Sequence, residues 1–190
     1  LLKEIRTNGT PQFARQARLA FIARAFLRTL VDAGYYTSEN VDTFMQGIST
    51  VSSEFNDDFE RFSEGLISRE EFNFKYLRSG TYDIRSDRYD AMNFRPAPSR
   101  IKKDKVKIQK DLDISILTQA LEDTQLDVPA ERMAKFWISA IEQREYFKFE
   151  FTKSLSMVLE LIRKLGSILE IRTMDLSWLC VDDFKLYESG

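Results

Sequence analysis

The sequence predicts an all-α protein, a multi-helix bundle interrupted near its middle by an irregular loop rich in arginine, aspartate and tyrosine. Three observations carry that expectation. Apolar residues recur at spacings of three and four over long stretches, as on one helix face, and no pair of segments alternates as strands do. Start and stop signals for helices bracket those stretches. Phe72 to Met92, by contrast, follows neither the helical nor the strand period and reads as loop.

A helix is expected from Thr10-Pro11, since proline is tolerated in a first turn, to Gly34, which can supply a left-handed C-terminal stop. Phe13, Ala17, Ala20, Phe21, Ala23, Phe26, Leu27, Leu30 and Val31 form its apolar face. Small alanines beside large side chains predict close helix packing. Arg15, Arg18, Arg24 and Arg28 fill the other side. They read as a phosphate or nucleic-acid surface or as a solvated face whose stems cover apolar atoms, and the second is the commoner use of scattered arginines.

Thr37 and Ser38 can cap the next helix, expected as one element from Ser38 to about Phe62 on the spacing of Val41, Phe44, Met45, Ile48, Val51, Phe55, Phe59 and Phe62. The phenylalanines read as core. Gly65 breaks the pattern, and the serine and glutamate of Ser68-Arg69-Glu70-Glu71 suit a capping box, predicting a short helix over about Ser68 to Tyr76.

Beyond the loop, Arg95-Pro96-Ala97-Pro98-Ser99 should be extended. The basic run that follows reads as a mobile connector rather than a nucleic-acid or lipid contact, being short and without interleaved aromatics. Asp111 or Asp113 caps a helix carrying Ile114, Leu117, Ala120 and Leu121. Asp127-Val128-Pro129 opens another with Met133, Phe136, Trp137, Ala140 and Ile141. It continues, straight or kinked, through Phe147, Phe151, Leu155, Val158, Leu159, Ile162 and Leu165 to a stop at Gly166. Glu150, Lys153 and Glu160 lie off its stripe and are assigned solubility alone. In the tail, Thr173 caps two short turns joined near Cys180 that would bring Leu176, Leu179, Val181 and Phe184 inward. Asp182-Asp183 reads as a helix start or as a metal-binding pair. The organisation expected is an N-terminal helical half, 1–94, with the loop at 77–92; the basic connector, 95–110; and a C-terminal half, 111–190, packing with the first as one domain.

Composition narrows the function classes. With 28 basic and 30 acidic residues, net charge −2, nothing global favours nucleic acid as a partner. No apolar run approaches the roughly 20 residues of a membrane helix and no signal peptide is evident, so no membrane association and a cytoplasmic location are expected. Leu1 in place of a start methionine suggests a cut or processed piece. The single cysteine, Cys180, cannot form an intrachain disulfide and is expected in the core. There is no histidine, which excludes Ser-His-Asp and Cys-His catalysis, the zinc-protease helix motif and a histidine phosphocarrier within these residues.

The loop concentrates what chemistry remains. Arg78, Arg85 and Arg88, Asp83, Asp87 and Asp90, and Tyr76, Tyr82 and Tyr89 surround Ser79-Gly80. Arginine forks suit carboxylate or phosphate, so the loop could hold an anionic ligand. Alternatively the arginines pair with the aspartates and pin the loop to its scaffold, which spacing alone favours because mixed-sign loops commonly satisfy themselves.

Tyr76-Leu77-Arg78-Ser79-Gly80-Thr81-Tyr82-Asp83-Ile84, followed by Ser86, Arg88 and Tyr89, resembles a signature of phosphoenolpyruvate synthase-like proteins. That group is related to pyruvate, phosphate dikinase and rifampicin phosphotransferase. The family pattern is Tyr-Gly-His-Leu-Arg-Pro-Gly-Thr-Tyr-Asp-Ile; here Ser79 replaces the proline and the Gly-His pair is absent between Tyr76 and Leu77. Asn8-Gly9-Thr10-Pro11 and Phe13 to Arg18 resemble the beginning of the family's helical region. Asp175-Leu176-Ser177 and Asp182-Asp183 resemble its end, near a phosphohistidine domain.

The resemblance implies the central helical part of a larger phosphotransferase, of the pyruvate, water dikinase kind, that uses ATP and Mg. Its partners would be flanking ATP-grasp and phosphohistidine domains, and a homo-oligomer is compatible. Without histidine or a Gly-x-Gly phosphate loop, the piece is expected to be catalytically silent alone, with no catalytic residue or metal ligand assigned. In rifampicin phosphotransferase the comparable region binds the phosphoryl acceptor. By that analogy Arg78, Thr81, Tyr82, Asp83 and Arg88 are substrate-binding, the arginines holding an anion and Asp83 orienting an acceptor hydroxyl or a supporting arginine. The alternative is a helical protein-protein interaction module without a small-molecule ligand.

Overall fold

Helices joined by turns make up the residues described by the computed structural model, 1–92 and 112–188, with side chains as far as 184. The expected connector and the extended stretch before it, like the alternative cap Asp111, lie outside them. Among the described residues there is no strand; the sole ladder contact is an isolated bridge between Arg78 and Arg88. The protein is all-α.

The elements are α1 (Leu2–Glu4), a π-helical turn (Ile5–Gly9), α2 (Thr10–Asp32), α3 (Ser38–Gly47), α4 (Val51–Ser63), α5 (Ile114–Asp123), α6 (Ala130–Ile168), α7 (Thr173–Leu176) and α8 (Val181–Glu188). Local chemistry explains their ends. Gly34, at φ +83°, closes α2, with the Tyr35 and Gly34 amides donating back to the Leu30 and Val31 carbonyls. Thr37 caps α3 reciprocally with Asn40, and the Asp113 side chain accepts from the Ser115 amide to start α5.

Several boundaries differ from expectation. The helix expected from Ser38 to Phe62 is two, because the Thr50 and Ser53 side chains satisfy backbone groups locally and Ile48 turns extended. No helix forms over Ser68 to Tyr76, although the Ser68 amide donates to Glu71 at 2.7 Å and the Glu71 amide to Ser68 at 3.3 Å. Phe72 and Phe74, two residues apart, are both buried, and a helix would turn them to opposite sides. Gly166 does not stop α6. Glu170, at φ +56°, occupies the left-handed stop, with the Ile171 amide donating to the Gly166 carbonyl at 2.8 Å. Gly166 is instead a contact position, where an added Cβ would lie 2.4 Å from a Leu176 methyl.

By contacts the described chain falls into two units, one of residues 1–7, 58–92 and 150–188, the other of 8–57 and 112–149. The second is built around Ala23, Leu27, Phe44, Leu117, Trp137 and Ala140, all nearly inaccessible. In α2 Ala23 and Leu27, not the aromatics, face that core: Phe21 and Phe26 are exposed, Phe21 beneath the Arg144 guanidinium at 5.7 Å. The small side chains permit the close approach.

The first unit is centred on aromatics, with Phe62 and Phe72 stacked 4.7 Å apart and Phe59, Phe74 and Tyr89 around them. Its tail departs from expectation. Leu176 is buried, but Leu179, Val181 and Cys180 are exposed, and Arg172 rather than Thr173 occupies the cap of α7. A four-residue helix has one inward position, and Leu176 takes it.

Candidate functional site

The loop from Leu77 to Met92 closes on itself at its base. The Tyr89 amide donates to the Leu77 carbonyl at 2.9 Å and the Asp90 amide to Lys75 at 3.1 Å. Leu77 and Ile84 are buried and plug the loop into the first unit. Between them the chain turns tightly at Gly80, where a Cβ would lie 2.5 Å from Ser86 Oγ and 3.2 Å from Asp83 Cβ, so any larger residue would push the Ser86 hydroxyl aside.

Arg78 lies behind the loop with its side chain fully buried. It donates through Nε to Ser156 Oγ at 3.3 Å, through Nη1 to the Ser86 carbonyl and through Nη2 to the Glu160 carboxylate. Ser156, also fully buried, donates in turn to the Tyr76 carbonyl at 2.6 Å. Arg163 bridges Glu160 and the loop's Asp87, at 3.4 and 3.0 Å. A buried cation with this many charge-assisted partners fixes the loop to α6 rather than reaching for solvent.

The other two arginines are also matched. Asp83 accepts from the Arg85 amide and from its Nε and Nη2, at 2.9, 2.9 and 2.8 Å. These bonds hold the Asp83 carboxyl below its ordinary range and push the Arg85 guanidinium up. Arg88 pairs with Asp90, while its buried Nε has no hydrogen-bond partner among the described residues. Burial, with the Glu150 charge adding to it, pushes the Tyr76 phenol up to about 12.

In front of the loop is a cleft of about 870 Å³, lined by Gly80 to Arg85, by Leu159 and Ile162 of α6, and by Leu176 to Leu179 with Phe184. Tyr82 is 56% exposed there and Trp178 85%. Of the residues expected to bind substrate, Thr81, Tyr82 and Asp83 line the cleft. Arg78 sits beneath the loop and Arg88 at its base.

Ser156, Glu160, Arg163 and Trp178 were not singled out by sequence reasoning, and Glu160, assigned solubility alone, proves to be the counter-charge of buried Arg78. A signal exists: Thr152, Ser156 and Glu160 recur every fourth residue, with Arg163 three further, making a polar ladder on one helix face. Asp183 accepts from the Cys180 amide at 2.7 Å at the start of α8, which lowers its pKa. Among the described residues no group of three or more metal-capable side chains converges, and no helix is long and apolar enough to cross a membrane.

The chain matches no family model, no curated protein and no solved structure.

Proposed function

We propose that the chain is the acceptor-binding helical part of a phosphoenolpyruvate synthase-like phosphotransferase, silent by itself and supplied with phosphoryl groups by other domains. One observation carries the reading: Thr81, Tyr82 and Asp83, from the stretch that resembles the family signature, line a cleft of ligand size. Arg78 and Arg88 serve it from behind, holding the loop in shape. On this reading ATP and Mg belong to a flanking ATP-grasp domain, the phosphohistidine to another, and the whole works in the cytoplasm.

The test is ligand binding to the isolated chain, read from the amide signals of Gly80 to Ile84. Hydroxyl-bearing small molecules should shift these signals saturably, and Tyr82→Ala should weaken binding about tenfold, the loss of one aromatic contact and its hydrogen bond. A chain that hydrolyses ATP unaided would sink the proposal.

A second reading, a protein-docking module, draws support from the apolar exposure of Ile168, Met174 and Trp178, at 77, 54 and 85%. Concentration-dependent self-association, or none, measured by sedimentation in the absence of ligand, separates the two.

A further inference from the structure

We infer that the cleft in front of the loop takes a flat, uncharged aromatic molecule bearing a hydroxyl, and discriminates against small anions such as phosphate or a carboxylic acid. The inference rests on the acceptor-site reading and specifies its ligand.

The charges decide the sign. Arg85 and Asp83 are the charged residues of the lining, and they neutralise each other through three guanidinium–carboxylate contacts, with the Arg85 amide adding a fourth hydrogen bond. Arg78, the buried cation of the loop, already donates to Glu160, Ser86 and Ser156. An anion entering the cleft would therefore meet an ionised Asp83 and would have to break an existing pair to gain a guanidinium. A neutral hydroxyl faces no such cost, because it carries no charge for Asp83 to repel and needs no guanidinium released from the Asp83–Arg85 pair.

The remaining lining sets the shape. Leu159, Ile162, Leu179 and Phe184 supply apolar wall, and the exposed rings of Trp178 and Tyr82 offer faces on which a planar group can stack. A volume of about 870 Å³ admits a molecule of several fused rings. Exposing an indole as fully as Trp178 is costly unless something covers it, and a flat ligand would cover it with the chemistry at hand.

The chain carries its own reporter. It has two tryptophans, Trp137 wholly buried in the second unit and Trp178 at the cleft, so an ¹⁵N spectrum holds two indole signals that Trp178→Phe assigns. Titration with 2-naphthol should move the Trp178 signal saturably and leave that of Trp137 in place. The matched anion, 2-naphthoate, should bind at least about fivefold more weakly, the effect of one unfavourable charge contact near the surface. Trp178→Leu, at a site too exposed to disturb folding, should weaken naphthol about fivefold. Equal or tighter binding of naphthoate, or displacement of naphthol by inorganic phosphate, would overturn the ligand class while leaving an acceptor site in place. If neither probe saturates, both the class and the acceptor site fall, whether the Trp178 signal then follows protein concentration or does not move at all.

Discussion

The core around Trp137 in the second unit and the anchor of the loop in the first solve the same problem, fixing chain segments distant in sequence, with opposite chemistry. In the second, Trp137 is fully buried among Leu27, Leu117 and alanines, and its indole nitrogen has no hydrogen-bond partner among the described residues. In the first, the fully buried side chain of Arg78 has partners on three other residues. Apolar burial is non-directional and tolerates shape-compatible replacement, whereas a buried cation stabilises only while its counter-charge and acceptors stay in place. The cleft lies in front of a loop held by directional bonds, which suits a surface whose geometry matters.

Substitutions can break this contrast, beginning with the largest effect. Trp137→Ala should cost about 4 kcal/mol by cavity formation, against about 1 kcal/mol for Trp137→Phe, measured by urea denaturation. Arg78→Met should cost about 3 kcal/mol, because it leaves the Ser86 carbonyl and Ser156 without the buried donor and Glu160 with only its longer contact to Arg163, and hydrogen exchange should show the amides of 77–90 losing protection first. Adding Glu160→Gln should recover at least about 1 kcal/mol, whereas a further loss would mean that the network is not the electrostatic unit described. Gly166→Ala forces the Leu176 side chain aside; with helix propensity offsetting part of the strain, a net loss of about 1 kcal/mol is expected in the melting curve.

The smallest effect is a matter of pH. Asp83 has its pKa lowered from 3.8, so its pairing with Arg85 contributes fully above the ordinary carboxylate range and is lost as pH falls through the lowered value. A carboxyl ¹³C titration should place Asp83 below 3.8, and Arg85→Gln should return it upward. An unchanged midpoint would show that the pair does not form in solution.

Much of the fold was legible. The stops at Gly34 and Gly65 follow from needing a residue that accepts the left-handed conformation, and both glycines adopt it. The starts of α3 and α5 follow from side chains able to satisfy free amides, and that of α2 from a proline in the first turn. The failures have a common form. Gly166 looks like a stop, yet it is kept small by Leu176, a neighbour the sequence does not bring near. Ser68 and Glu71 form their capping contacts, but burial of both Phe72 and Phe74 outweighs the local preference.

For the site, the sequence identified the loop and its charged and aromatic residues, and could not distinguish which arginine faces inward. Residue type and spacing by themselves determined that this chain is helical, where most helices begin, and which stretch breaks the helical period and gathers arginine, aspartate and tyrosine, because periodicity and capping act between near neighbours. Only the tertiary structure decided that Arg78 is buried against Ser156 and Glu160, that Thr81, Tyr82 and Asp83 front a cleft, and that Trp178 stands open beside them. Those facts depend on pairings across roughly eighty residues, which the three-dimensional path of the chain sets and local propensity does not.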